Sequence, residues 1–290
     1  MATSRPRGFI ENWKPRIETE ILVSNVKQIL DDNIDIAPLT LRQIFYMLVS
    51  SYDFDKTEKS YKRLCETMNK ARRAQRIPMH MIRDDGLKSR TPHGWDSKEE
   101  LIETFKSSGK HFRLNRQEGQ PVHLMVWCEA AGMLPQLANY CTDYGVRVLS
   151  SGGFDSVTTK HNFAAGASEF REVEVLHIGD HDPSGVHMHS SLDEDLQEFV
   201  GYYGGSISVT RLAVTPDQVE LMRLPTAPPK RTDNRAFEGR TTQAEAIPPR
   251  RLKDIVQRAI KTRLDFGIYN EVLERESHIR AELAKKLSDL

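Results

Sequence analysis

Three stretches near the start of the chain repeat apolar residues with a helical period: residues 17–30, 40–51 and 59–76, separated by Asp, Asn and Pro signals. Three short helices in succession predict a helix-turn-helix or winged-helix unit. Between residues 90 and 120 the spacing weakens and Pro92, Gly94 and Gly109 accumulate, which predicts an irregular connection with one helix at 98–107. Beyond it the pattern changes to short apolar runs, at 122–128, 146–149, 173–178 and 206–214, alternating with helix-length segments. That alternation predicts an α/β unit with a parallel sheet, apolar on both faces because helices cover both. Two further helices are expected at 248–265 and 269–290, giving a two-domain reading of 1–118 and 119–290.

Composition changes this picture little. The 290 residues are 38% hydrophobic and 28% charged with no low-complexity tract, as in ordinary globular chains. No apolar run approaches the roughly 20 residues of a membrane helix, and residues 1–15 lack the apolar centre of a secretory signal, so a cytoplasmic location and no membrane partner are expected. Cys65, Cys128 and Cys141 are widely spaced inside apolar segments and read as reduced packing residues. The formal net charge is zero, but its distribution is uneven. Lys59, Lys62, Arg63, Lys70, Arg72, Arg73 and Arg76 share one segment with Glu66 as its only acid, while Asp193, Glu194, Asp195 and Glu198 form an acidic face later. Lys70, Arg72, Arg73 and Arg76 sit as a recognition helix facing DNA phosphates would carry them.

Candidate chemistry lies at the carboxyl ends of two strands, where open parallel sheets place their ligand sites. Glu129 directly follows the first strand. Asp180 and Asp182 follow the third in His-Ile-Gly-Asp-His-Asp-Pro-Ser-Gly, and in extended chain the Asp-x-Asp spacing puts both side chains on one side. Three neighbouring carboxylates repel one another, and a hard divalent cation such as Mg²⁺ relieves that repulsion. The plainer reading makes Glu129 a helix cap and the two aspartates a turn before Pro183 and Gly185. A zinc reading of His177, His181, His187 and His189 fits no closed tetrahedral spacing.

The helix at 40–51 opens with Thr-x-x-Gln, a capping box, and carries an apolar stripe of Leu41, Ile44, Phe45, Leu48 and Val49. Tyr46 lies about 130° from the centre of that stripe and is expected to point away from the core. Arg42 precedes it by one turn. A phenol is almost wholly protonated at neutral pH, so a nucleophilic tyrosine needs a neighbouring cation or base.

Glu129 in Val-Trp-Cys-Glu-Ala-Ala-Gly, with Asp180 and Asp182 after a later strand, resembles the Toprim domain, a parallel-sheet, Rossmann-like fold, of topoisomerases, primases and related nucleases. Leu-Arg-Gln-Ile-Phe-Tyr resembles the Arg-x-x-Phe/Tyr-Tyr motif that carries the catalytic tyrosine of the topoisomerase VI A-subunit family, which places that role on Tyr46 with Arg42 as its partner. Residues 150–160 resemble the family's Gly-aromatic-Pro-Asp-x-x-Thr-Arg stretch: Thr159 and Lys160 fall on Thr-Arg, while Asp155 and Ser156 replace the Pro-Asp. The resemblance makes Lys160 a phosphate contact, and residues 211–230 and 243–252 resemble the family's tail without evident chemistry. The order, a winged-helix (catabolite-activator-like) unit followed by a Toprim domain, also matches.

The resemblance implies a type IIB topoisomerase A-like enzyme acting on double-stranded DNA. Tyr46 would cleave by transesterification with Mg²⁺ held by Glu129, Asp180 and Asp182. A homodimer would place the tyrosine of one chain at the acids of the other, and a separate GHKL-type ATPase would drive any strand passage. The alternatives are a metal-dependent hydrolytic nuclease and a non-catalytic DNA-binding protein.

Overall fold

A computed structural model describes residues 8–83, 94–150, 157–229, 233 and 235–288. In chain order the elements are α1 (Ile17–Asp32), β1 (Leu39–Thr40), α2 (Leu41–Ser51), α3 (Glu58–Arg73), β2 (Ile82–Arg83), α4 (Lys98–Lys110), β3 (His123–Cys128), α5 (Leu134–Cys141), β4 (Arg147–Ser150), α6 (Val157–Ala167), β5 (Glu172–Ile178), α7 (Pro183–Tyr202), β6 (Ser206–Ala213), α8 (Pro216–Leu221), α9 (Pro249–Lys261) and α10 (Phe266–Ser288). Among the described residues no helix is long and apolar enough to cross a membrane.

The chain is a mixed α/β fold. The capping box expected at Thr40 forms: Gln43 N–H donates to the Thr40 hydroxyl, and Thr40 N–H donates to the Gln43 side chain. Helices α1, α2 and α3 pack on one another. Among the described residues their only strands are β1 and β2, paired in parallel, and no wing hairpin accompanies them.

The main sheet has the order β4-β3-β5-β6 and every pair is parallel. Its period-2 alternation serves two cores. Leu124, Val126, Cys128, Leu176 and Ile178 face a cluster that runs on into α1, α2, α3, α5 and α9. Trp127, Val173 and Val175 face α6 and α7. The register aligns Cys128 with both Ile178 and Ser150, so the chain leaves β3 and β5 side by side at one edge of the sheet.

Residues 98–118, placed in the first unit on sequence grounds, pack against the C-terminal helix and the sheet. Helix α4 lies on α10, and Gln117 exchanges hydrogen bonds with Leu124 of β3. Glu276 of α10, only 2% exposed, accepts from Leu114 N–H (3.0 Å), from Arg116 (2.8 Å) and from Arg280 (2.5 Å). These donors hold its carboxyl below the usual range. Glu276→Ala is expected to lower stability by about 3–5 kcal/mol, because it leaves a largely buried guanidinium and an amide unpaired. Urea unfolding measures the loss, and a change below about 1 kcal/mol would show that the clasp is not structural.

Candidate active site

The carboxyl edge of the sheet gathers the acids. Glu129 leaves β3 with its amide donating to Ile178 O of β5 at 2.9 Å, and its Oε2 accepts from Asp180 N–H at 3.1 Å. Asp180 Oδ1 accepts from Ala244 N–H at 2.8 Å. Asp182 caps α7, its Oδ1 accepting from Gly185 N–H at 2.7 Å, so the plainer capping reading describes that one residue. Two glycines permit this crowding. A Cβ at Gly179 would stand 2.7 Å from Glu129 Oε2, and one at Gly185 would overlap the carbonyl of Asp180.

Burial, then the charges of Asp180 and Asp182, push Glu129 up to about 7. Burial also raises Asp180, against the opposing pull of the Ala244 amide. Glu245, the next residue after Ala244, is pushed up to about 7 by burial, with Arg42 opposing and Asp180 adding. Beneath them Arg211 of β6 donates only to backbone carbonyls: Val214 at 3.1 Å, Gly185 at 3.1 Å, Gly179 at 3.2 Å and Asp180 at 2.5 Å. His177 is buried and held at about 3, hence neutral, with its ring edge against His189.

Among the described residues no three His, Cys, Asp or Glu side chains converge tightly enough to enclose a metal ion. The donor chemistry nevertheless fits Mg²⁺. That ion takes one or two protein carboxylates and completes its shell with water and phosphate oxygens, and the acids here are hard oxygen donors whose charged forms are disfavoured by burial and by one another.

Tyr46 corrects the sequence reading. It is 5% exposed rather than turned to solvent. The face of α2 opposite its own apolar stripe is covered by residues 243–246 from the far end of the chain. The Tyr46 hydroxyl donates to Gln243 Oε1 in a short hydrogen bond, and Arg42 Nη1 donates to the same oxygen at 2.9 Å. Arg42 Nε also stands 3.6 Å from Glu245. Arg42 thus partners Tyr46 through a shared acceptor rather than by direct contact. Burial raises the phenol above its ordinary value, and Arg42 opposes that rise. The Lys56 ammonium lies 5.4 Å over the Tyr46 ring and donates to Pro225 O at 2.7 Å, with burial lowering it to about 8.

Tyr46, Lys56, Asp182, Ser184, Thr241 and Gln243 line one cleft of about 200 Å³. The resemblance implies that the tyrosine of one chain meets the acids of another, whereas here Tyr46 and Asp182 share a cleft within one chain.

The expected phosphate contacts of Lys160, Arg72, Arg73 and Arg76 are also corrected, since each of these cations has a partner within the chain. Lys160 is 6% exposed, and its ammonium donates to Asp195 at 2.7 Å and to the Ser191 hydroxyl at 2.9 Å, neutralising the acidic face of α7 instead of facing solvent. Of the four cations assigned to a recognition helix, Arg72 donates to Ile82 O, Arg73 to Asn69 and Gly8 O, and Arg76 pairs with Glu20 at 2.6 Å. Only Lys70 among them is exposed. Gly153, Asp155 and Ser156 of the family-like stretch lie outside the described residues.

Sequence reasoning missed Gln243, Glu245, Arg211 and Lys56. Arg211 could have been found as the one charged residue of its strand. Gln243 and Glu245 carried only their position between Thr-Thr and Pro-Pro. No protein-family model matches the chain, and no curated protein matches it.

Proposed function

We propose that the protein cleaves DNA with Tyr46 as nucleophile beside a Mg²⁺ site formed by Glu129, Asp180 and Asp182. The observation that carries this reading is the shared cleft, in which a tyrosine from a helix of the first unit and an acid from the sheet edge face the same small volume. The hydroxyl oxygen of Tyr46 attacks a phosphodiester phosphorus. The phenol's proton passes to solvent, a phosphotyrosyl bond forms, the P–O3′ bond breaks, and the departing 3′ oxygen takes up a proton from solvent. Arg42, one turn from the tyrosine, supplies positive charge to the phenolate and to the phosphate. Glu129, Asp180 and Asp182 would hold the ion, Asp182 while capping α7. When bound, Mg²⁺ supplies charge stabilisation to the phosphate oxygens. For Tyr46 to reach a phosphate its bond to Gln243 must open, since the hydroxyl is closed off while that bond lasts. Two copies of the chain acting together would cut both strands, and strand passage would fall to a separate GHKL-type ATPase.

One observation favours a second reading, hydrolysis by metal-activated water with Tyr46 as a packing residue: its hydroxyl is buried, its proton is held above the ordinary phenol value, and its partner is an amide that cannot accept a proton. Incubation with end-labelled supercoiled DNA and Mg²⁺, quenched with denaturant, separates the two. The expected result is DNA covalently attached to the protein, with adduct and cleavage falling at least about 100-fold in Tyr46→Phe. Cleavage without adduct, surviving in Tyr46→Phe, would replace transesterification by hydrolysis.

A further inference from the structure

Arg73 and Arg76 are both drawn into the protein, and what they hold is the N-terminal segment. Arg73 Nη1 donates to Gly8 O at 2.8 Å, and the backbone adds Ile10 N–H to Arg73 O at 2.9 Å. The Arg76 guanidinium lies 5.6 Å over the ring of Trp13 while paired to Glu20. Residues 8–16 are thereby fastened along α3, and a cleft of about 310 Å³ opens between them and the face of α3 that carries Arg63, Glu66, Thr67 and Lys70 at helical spacing.

The lining of this cleft is one-sided in charge. Lys14, Arg16, Arg63 and Lys70 stand against a single acid, Glu66, in a chain whose overall charge is zero. All four cations are exposed, and among the described residues the one ion pair they make, Arg63 with Glu18 at 3.6 Å, joins two solvent-exposed groups and is weak. Thr67 is 7% exposed and borders the cleft. Helix α1 begins at the same place with Arg16 as its N-cap and no side chain capping its first amides. Trp13, with Arg76 on its ring, adds an aromatic surface.

We infer that this cleft is a nucleic-acid backbone site, in which Lys14, Arg16, Arg63 and Lys70 hold a phosphodiester of duplex DNA and Trp13 packs against the adjoining sugar or base. The inference rests on the DNA reading above for the identity of the polymer but not on any cleavage step. Arg73 and Arg76 are positioning residues for the cleft, and the phosphate is held by the exposed cations that line it.

The test is fluorescence anisotropy of the full chain with a labelled 30-base-pair duplex in EDTA, where no metal-dependent cleavage occurs, over a range of salt. The variant Lys14→Gln/Arg16→Gln/Lys70→Gln is expected to bind at least about tenfold more weakly and to flatten the slope of log affinity against log salt by about 2–3. Lys285→Gln/Lys286→Gln, on α10 remote from the cleft, is expected to change neither. Quenching of tryptophan fluorescence by DNA is expected in the native protein and its reduction in Trp13→Phe. Circular dichroism of each variant establishes that it is folded. A folded triple variant with native affinity and slope, or a native chain that binds no duplex, would overturn the site. Binding that behaves as stated in a chain that cleaves nothing would instead leave the site standing and remove the enzyme reading.

Discussion

Replacing Arg211 with leucine is expected to lower stability by about 3–5 kcal/mol, since one buried guanidinium donates to four backbone carbonyls, of which Gly179 O keeps the Val214 N–H while the others lose this donor. Those carbonyls belong to the end of β6, the loop after β5 and the first turn of α7. The fork therefore fastens three segments whose shared product is the placement of Asp180 and Asp182. Removing its charge also leaves Glu129, Asp180 and Asp182 without their buried counter-charge, so the same variant is expected to lose metal-dependent activity. Arg211→Lys keeps the charge but has fewer donors on a different geometry, and an intermediate loss is expected. Urea unfolding of both variants provides the measurement, and a leucine variant within about 1 kcal/mol of the native protein would show that the loop holds itself.

The second large effect is a fall in the stability of metal-free protein as pH rises. Glu129 and Glu245 both titrate near 7 in the folded chain against an ordinary 4.5, because burial and Asp180 disfavour their charge. The folded state thus holds two protons that the unfolded state releases earlier. Their contribution is fully present below about pH 4.5 and is lost as pH rises through about 7. After allowance for the partial exposure of the groups, each accounts for about 1–2 kcal/mol. Thermal unfolding in EDTA is expected to show this decline between about pH 5 and about pH 8.

Added Mg²⁺ is expected to restore the midpoint at the upper end of that range far more than at the lower, where protons already occupy the acids. Glu129→Gln is expected to raise metal-free stability at the upper end and to abolish most of the Mg²⁺ response, because the amide still accepts from Asp180 N–H without carrying charge. A flat pH profile together with no Mg²⁺ response would remove the acid cluster as a metal site.

The helices and strands were legible because each is encoded in spacing. Periods of 3.6 and 2 mark an element's own buried face whatever lies against it, so α1, α2, α3, α4 and the four strands of the main sheet appear close to where the spacing puts them. The capping box at Thr40 is local in the same sense, with donor and acceptor three residues apart. The acids were legible for a topological reason: consecutive parallel strands end on the same edge, so Glu129 and the Asp-x-Asp had to meet there.

Side-chain partners were not legible, and the errors share a cause. Tyr46 looked outward because the stripe on α2 accounts for one neighbour only, and the segment that covers the other face lies some two hundred residues later. Lys160, Arg73 and Arg76 looked like free cations because a charge in sequence carries no mark of whether it is already paired. The sequence by itself determined the α/β alternation, the helix starts and the edge of the sheet at which carboxylates collect, since these follow from short-range periodicity and chain direction. The tertiary structure alone decided which cations remain exposed and that Gln243 closes Tyr46 into the site, because a hydrogen bond between remote segments depends on packing that no local spacing records.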